Sequence, residues 1–241
     1  MNIGVVFAGG VGSRMHSKDR PKQFLELYNK PIIIHTLDHF EANSEIDAVV
    51  ISCIEDWIPY LEKLLYKFRI EKVKKIVPGG TSGQLSIYNG LRAAKEIAGG
   101  EKSIVLIHDG VRPLINSELL SANIESVKKN GSAITAGIVK ETIVVIDDQF
   151  HIEQVPSRDK SRVAKAPQSF WLDEILEVHE KALSKGETNS IDSCTLMQQY
   201  GKKLHMIDGP YENIKITTPD DFYTMRAILE AKENSQIFGM D

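Results

Sequence analysis

The chain holds only two cysteines in 241 residues, Cys53 and Cys194. A disulfide framework or a structural zinc site needs more thiols at tighter spacing. Both therefore read as reduced, buried or half-buried side chains, and the expected compartment is the cytoplasm. No apolar run approaches the ~20 residues that span a bilayer. The opening segment MNIGVVFAGG has no basic stretch ahead of its apolar residues, so neither a membrane span nor an export signal is expected. Basic charge is not in excess either: 29 Lys and Arg stand against 33 Asp and Glu, a formal net charge of -4. The longest basic cluster is Lys72, Lys74 and Lys75, and no nucleic-acid partner is expected. Any cationic site must be local, built from a few Arg and Lys in a cleft. Internal repeats and low-complexity tracts are absent from the sequence.

What is there is enough for a core. Hydrophobic residues make up 42% of the chain, and a chain of this length buries about 70% of its extended surface. One domain over 1–241 is expected. Short β-branched runs at Ile3–Phe7, Ala48–Ile51, Ile104–Ile107 and Ala133–Ile138 alternate with helical patterns at Pro31–Phe40, Trp57–Phe68, Ser86–Ile97 and Ser117–Lys128. Continuous apolar strands separated by helices predict an α/β fold, a doubly wound, mostly parallel sheet covered on both faces. The pattern changes after Val139. Thr142–Ile146, the turn Asp147–Asp148, His151–Val155, a polar stretch and Arg162–Phe170 read as a hairpin-like excursion. Helical spacing returns at Leu172–Leu183, where His179 reads as a core-edge histidine. A strand at Lys203–Ile207, a segment at Asn213–Ile216, a helix from Pro219 and a frayed tail at Gln236–Asp241 complete the expectation.

Three segments carry chemistry. The first strand runs into Ala8-Gly9-Gly10-Val11-Gly12-Ser13-Arg14-Met15. Glycines here let backbone N–H groups approach an anion. Met15 stands where a Rossmann fingerprint needs glycine, and the P-loop Gly-Lys-Ser/Thr is missing. A nucleotide-phosphate loop ending in a basic residue, Arg14, or a plain tight turn remain. Lys22 follows the stiff Pro21, and such a lysine near Arg14 can neutralise charge on a transferring phosphoryl group. His108-Asp109 closes the strongest buried-strand pattern, at the strand end where open α/β sheets collect ligands. A carboxylate there suits a hard cation, so Asp109 is the metal candidate.

Ala8–Met15 followed by Pro21-Lys22-Gln23-Phe24 resembles the signature of sugar-phosphate nucleotidylyltransferases, and within them the cytidylyltransferases of methylerythritol 4-phosphate or ribitol 5-phosphate. Gly79-Gly80 ahead of Ser86, His108–Pro113, Pro167-Gln168 and Asn213–Thr217 agree in order and type. The resemblance implies a β-arm, at about 139–165, that crosses to a partner in a homodimer. It implies catalytic roles for Arg14 and Lys22 and nucleotide binding by Ala8, Gly9, Gly10, Gly12, Gly79, Gly80, Thr81 and Ser86. It further implies acceptor binding by Gly110, Arg112, Thr142, Arg158 and Lys215, with Mg²⁺ at Asp109. The implied reaction is cytidylyl transfer from CTP to a polyol phosphate. Three positions depart from the family: Gly83 where arginine is common, Ala166 where threonine precedes Pro-Gln, and Ile191 where threonine precedes the later aspartate. The last two fall near the acceptor, which favours ribitol 5-phosphate. Methylerythritol 4-phosphate is the alternative acceptor, and a non-catalytic nucleotide-binding regulator is the alternative of another class.

Overall fold

The computed structural model describes residues 1–10 and 20–238. In chain order, β1 (Asn2–Ala8) is followed by a 3₁₀ turn at Lys22–Phe24 and a small hairpin of β2 (Glu26–Leu27) and β3 (Lys30–Pro31). Then come α1 (Ile32–Ala42), β4 (Ala48–Cys53), α2 (Ile58–Phe68), β5 (Val73–Pro78), α3 (Gly83–Ala98), β6 (Ile104–Asp109), α4 (Ser117–Asn130) and β7 (Ser132–Ile138). The remainder is β8 (Val145–Ile146), β9 (Ile152–Gln154), β10 (Arg162–Trp171), α5 (Leu172–Ser184), α6 (Ser193–Gln199), β11 (Met206–Asp208) and α7 (Pro219–Phe238).

The central sheet has seven strands in the order β11-β7-β10-β6-β1-β4-β5. All pairings are parallel except those of β10, which runs antiparallel to both β6 and β7. The side chains of each parallel strand alternate between faces, as the pleat requires. Val6, Val49, Ile51 and Leu106 pack under α1, α2 and α4, while Val5, Val50, Val105 and Ile107 pack under α3, α5 and α6. A third cluster of Leu27, Ile32, Val111, Leu114, Ile216 and Met225 seats α7.

The sequence expectation holds for β1, β4, β6, β7 and the six helices it named. It differs in five places. Arg162–Phe170 is not part of the excursion beyond its first residues: from Ala166 on, β10 is buried in the middle of the sheet. An antiparallel strand inserted between two parallel ones carries no periodicity signal of its own. β5 was not expected because Lys74 and Lys75 interrupt its apolar pattern; it lies at the sheet edge, where lysines oppose further strand pairing. Helix α3 starts three residues before Ser86, because Ser82 caps it by accepting from the Leu85 N–H at 3.1 Å. Helix α7 continues through Gln236–Phe238, part of the stretch expected to fray. His179 is 1% exposed, so it is a core residue rather than a core-edge one. Both cysteines are free, Cys53 buried and Cys194 half-buried.

Between β7 and β10 the chain leaves the sheet. β8 and β9 form a separate two-stranded antiparallel ribbon, covered by no helix among the described residues, and its residues are exposed. Phe150 at its tip is 83% exposed and lies at φ 65°, in a turn held by the Asp147 carboxylate, which accepts from the Gln149 and His151 N–H groups.

Candidate active site

Because β1, β4, β5 and β6 are parallel, their carboxyl ends meet at one edge of the sheet. The register places Phe7 beside Asp109 and Ala8 beside Cys53. β10 runs the other way, so its first half arrives at the same edge. Three predicted segments are brought together here: Ala8-Gly9-Gly10, Gly79-Gly80-Thr81 and His108–Arg112. Val11–Asp19 lie outside the described residues, and with them the expectations placed on Gly12 and Arg14.

On the nucleotide side, the turn after β5 is tied to β4 by the Gly79 N–H donating to the Cys53 carbonyl at 2.7 Å. The Ser86 hydroxyl accepts from the Gly80 N–H at 3.0 Å and donates to the Ser82 carbonyl at 2.9 Å. Ser86, an expected nucleotide-binding residue, is buried and braces the turn from within. Gly80 is required by close approach: a Cβ there would sit 2.3 Å from the Leu85 Cβ. Thr81 and Gly10 are exposed, and no atom of the described residues lies within 4 Å of a Cβ built on Gly10. Gly83 has no atom within 4 Å of a built Cβ, so the arginine common in the resembling family would meet no obstruction at its root.

Lys22 is half-buried in the 3₁₀ turn. Two neighbours fix that turn: the Gln23 amide donates to the Ala8 carbonyl at 2.7 Å, and Phe24 stacks on Trp57 with ring centroids 4.9 Å apart. Lys22 is thus held next to the end of β1. The positioning residue Gln23 was part of the quoted motif but had been given no role.

On the acceptor side, Asp109 is buried, and both its oxygens are engaged. Arg112 Nε donates to Oδ2 at 2.7 Å and Lys215 Nζ lies 2.6 Å from Oδ1. Burial pushes this carboxyl up, but the charges of Lys215 and then Arg112 outweigh it and hold it at about 2. Lys215 arrives because Ile216 N–H bonds the Val111 carbonyl, while Asn213 donates its amide to the Ala166 carbonyl. Gly110 was expected to touch the acceptor. It is buried against β1, its N–H donating to the Phe7 carbonyl at 3.0 Å. His108 is structural: it is buried, its Nε2 meets the Arg112 carbonyl, and burial lowers it to about 4.

These residues line a cavity of about 320 Å³, with Phe7, Asp109, Arg112, Lys165, Ala166, Gln168, Ile191, Asp192 and Lys215 among its walls. Ala166 forms a buried part of the wall, whereas Ile191 is 92% exposed and stands at the rim. The Gln168 amide donates to Asp192 and its carbonyl oxygen accepts from the Cys194 N–H, which fixes the start of α6. Thr142 and Arg158 are not among the walls. They lie together on the exposed arm, Arg158 donating to the Thr142 hydroxyl at 3.1 Å. Lys165 was not singled out from the sequence, where nothing distinguishes it from a surface lysine.

As a metal centre the cleft offers little caging. Among the described residues no three His, Cys, Asp or Glu side chains are grouped to hold an ion. One buried carboxylate, Asp109, could meet a cation that arrives with phosphate oxygens as its other ligands, the usual habit of Mg²⁺, by giving up its pair with Arg112 or Lys215.

The solved structure of 4-diphosphocytidyl-2C-methyl-D-erythritol synthase from Anaerococcus prevotii superposes with a TM-score of 0.82 at 30% identity, covering 95% of this chain and 96% of that one. Ribitol-5-phosphate cytidylyltransferase from Streptococcus agalactiae serotype V is 55% identical over 240 residues, covering the whole of both chains. 2-C-methyl-D-erythritol 4-phosphate cytidylyltransferase from Clostridium botulinum strain 657 is 38% identical, over 95% of this chain and 97% of its own. Fold and site together define a cytidylyltransferase, a kind of nucleotidyltransferase. The chain belongs to the IspD family, described as 2-C-methyl-D-erythritol 4-phosphate cytidylyltransferase, whose model matches residues 3–231.

Proposed function

We propose that the protein transfers CMP from CTP to D-ribitol 5-phosphate, giving CDP-ribitol and pyrophosphate. The observation that carries this reading is the 55% identity, across the whole of both chains, to a ribitol-5-phosphate cytidylyltransferase, against 38% for the methylerythritol-phosphate relative. The apolar Ala166 and Ile191 on the acceptor side agree with it.

The acceptor phosphate is already ionised near neutral pH, so one of its oxygens attacks the α-phosphorus of CTP without a general base. The bond from that phosphorus to the bridging oxygen breaks in line, and pyrophosphate leaves. Lys22 and Arg14 neutralise the charge that develops on the reacting phosphates. The Gly79–Thr81 turn reads cytosine through backbone groups, and Gly9 and Gly10 admit the phosphates without side-chain obstruction. Arg112 and Lys215 orient the acceptor from the Asp109 side. Asp109, with nucleotide phosphate oxygens, would hold Mg²⁺, which would supply further positive charge to the triphosphate. Thr142 and Arg158 are assigned to the acceptor site of a partner copy in a homodimer, which their position on the arm supports. The two free cysteines support a cytoplasmic setting. Among the described residues, no helix is long and apolar enough to cross a membrane.

Pyrophosphate release tests this directly. CTP, UTP, ATP and GTP are each paired with ribitol 5-phosphate and with methylerythritol 4-phosphate. CTP with ribitol 5-phosphate is expected to be fastest, by roughly ten- to a hundredfold in kcat/KM over the other acceptor, the effect of one mismatched polar group. A preference for methylerythritol 4-phosphate would transfer the assignment to that acceptor.

A further inference from the structure

The cavity at the sheet edge carries three cationic side chains, Arg112, Lys165 and Lys215, and two carboxylates, Asp109 and Asp192. Four of these five charges are already committed. Arg112 and Lys215 both pair with Asp109, and Asp192 accepts from Gln168 and caps α6 through the Thr195 N–H. Lys165 differs. Among the ion pairs of the described residues it forms none, and its ammonium donates only to the Tyr211 carbonyl, at 3.1 Å. An ammonium has three donors, so this single bond leaves capacity for an incoming anion.

The fold goes to some length to bring Lys165 here. The register of β10 against β7 shifts between Ala164 and Gln168, so the strand leaves its ladder where Lys165 stands. The lysine stem then crosses Gly137 on β7, where a built Cβ would lie 2.9 Å from the Lys165 Cε. A side chain at 137 would press on that stem. Lys165 is half-buried, and its ammonium is lowered from the ordinary value by burial first and by the charge of Arg112 next, against the pull of Glu212. A partly desolvated cation beside another cation, in no ion pair among the described residues, is a poor surface lysine and a good anion ligand.

We infer that Lys165 binds the phosphate of the acceptor and sets the acceptor affinity of this chain. The inference rests on the functional reading of the cleft given above and adds to it a residue with no assigned role. A dianionic phosphate finds Arg112 and Lys215 only in competition with Asp109, whereas Lys165 carries the positive excess of the walls. The nucleotide is bound from the glycine turns on the other side, so the effect belongs to the acceptor alone.

The test compares the wild type with Lys165→Met, which keeps the stem beside Gly137, and with Lys165→Arg, which keeps the charge. Steady-state constants for CTP and ribitol 5-phosphate are measured, together with inhibition by inorganic phosphate. Lys165→Met is expected to raise KM for ribitol 5-phosphate by ~10- to 100-fold, the scale of a lost charge-assisted hydrogen bond, and to weaken phosphate inhibition in parallel. The CTP KM and the thermal midpoint should hardly move, and Lys165→Arg should recover most of the acceptor affinity. An unchanged acceptor KM, or a loss that falls mainly on CTP, overturns the inference. So does an equal defect in both variants accompanied by a lowered thermal midpoint. Wild-type protein that turns over no polyol phosphate would sink the functional reading and this inference together. Normal wild-type turnover with an unchanged Lys165→Met variant sinks the inference alone.

Discussion

Lys22 and the buried histidines show how differently a charge behaves at the edge of the sheet and inside it. Lys22 stands in a turn fixed by Gln23 and Phe24, which holds its backbone next to the end of β1. Removing it as Lys22→Ala is expected to lower kcat by at least ~10²-fold, with CTP affinity changed less, as for a donor that acts on transition-state charge. A raised KM with normal kcat, from the same steady-state assay, would reassign it to ground-state binding. His108 and His179 are the opposite case. Burial lowers each to about 4, and neither nitrogen of His179 has a partner among the described residues. The unfolded chain takes up these protons as pH falls through about 6.5, whereas the folded protein resists until about 4. Stability is therefore full above pH 6.5 and falls between 6.5 and 4, by up to ~1.4 kcal/mol per pH unit for each histidine. Asp109, held at about 2, adds its own loss only below about pH 4. Urea unfolding from pH 7.5 to 4.5 should show this slope, to which His35 and His39, also lowered by burial, add, and His179→Phe should reduce it.

At the scale of the element, two glycines three residues apart should respond in opposite senses. Gly80 sits in the turn where a Cβ would meet Leu85 at 2.3 Å, while Gly83 opens α3 with nothing within 4 Å. Gly80→Ala should destabilise by about 1–3 kcal/mol, the usual range for overpacking, and raise the CTP KM as the turn moves. Gly83→Ala should stabilise by about 0.5–1 kcal/mol through helix propensity and the reduced freedom of the unfolded chain. Denaturant midpoints of the two variants decide both claims. The same contrast explains what was legible in these elements. Gly79-Gly80 ahead of Ser86 is recognisable as a turn before a helix. That Ser86 holds the turn depends on Ser82 and Gly80 meeting it in space.

For the whole molecule, the ribbon of β8 and β9 is the feature a single copy does not account for. A two-stranded hairpin is marginal alone, and this one exposes Val145 at 41%, Ile146 at 45% and Ile152 at 62%. We expect these side chains to be covered by a second copy, with Thr142 and Arg158 carried toward its cleft. Sedimentation at micromolar concentration should give a dimer, and Val145→Lys with Ile152→Lys should give a monomer of low activity whose core is intact by near-ultraviolet circular dichroism. A fully active wild-type monomer would remove the arm from the site.

The alternation of β-branched runs with helical spacing was sufficient to assign an α/β fold with a mostly parallel sheet. Each such strand is buried on both faces, and that burial must be written into its own residues. The glycine turns, Lys22 and Asp109 were legible for a related reason: local backbone freedom and a charge at a strand end are properties of short segments. The antiparallel insertion of β10 was not, because strand direction depends on which neighbours the strand meets. The state of Asp109 was not legible either. Arg112 is three residues away, but Lys215 is reached only when Ile216 bonds Val111 across the sheet edge. Lys165 illustrates the limit most plainly. Its place in the cleft follows from a register shift in β10, a glycine on β7 and a carbonyl at Tyr211. Three chain segments with no common local pattern set that position, and only their packing against one another determines it.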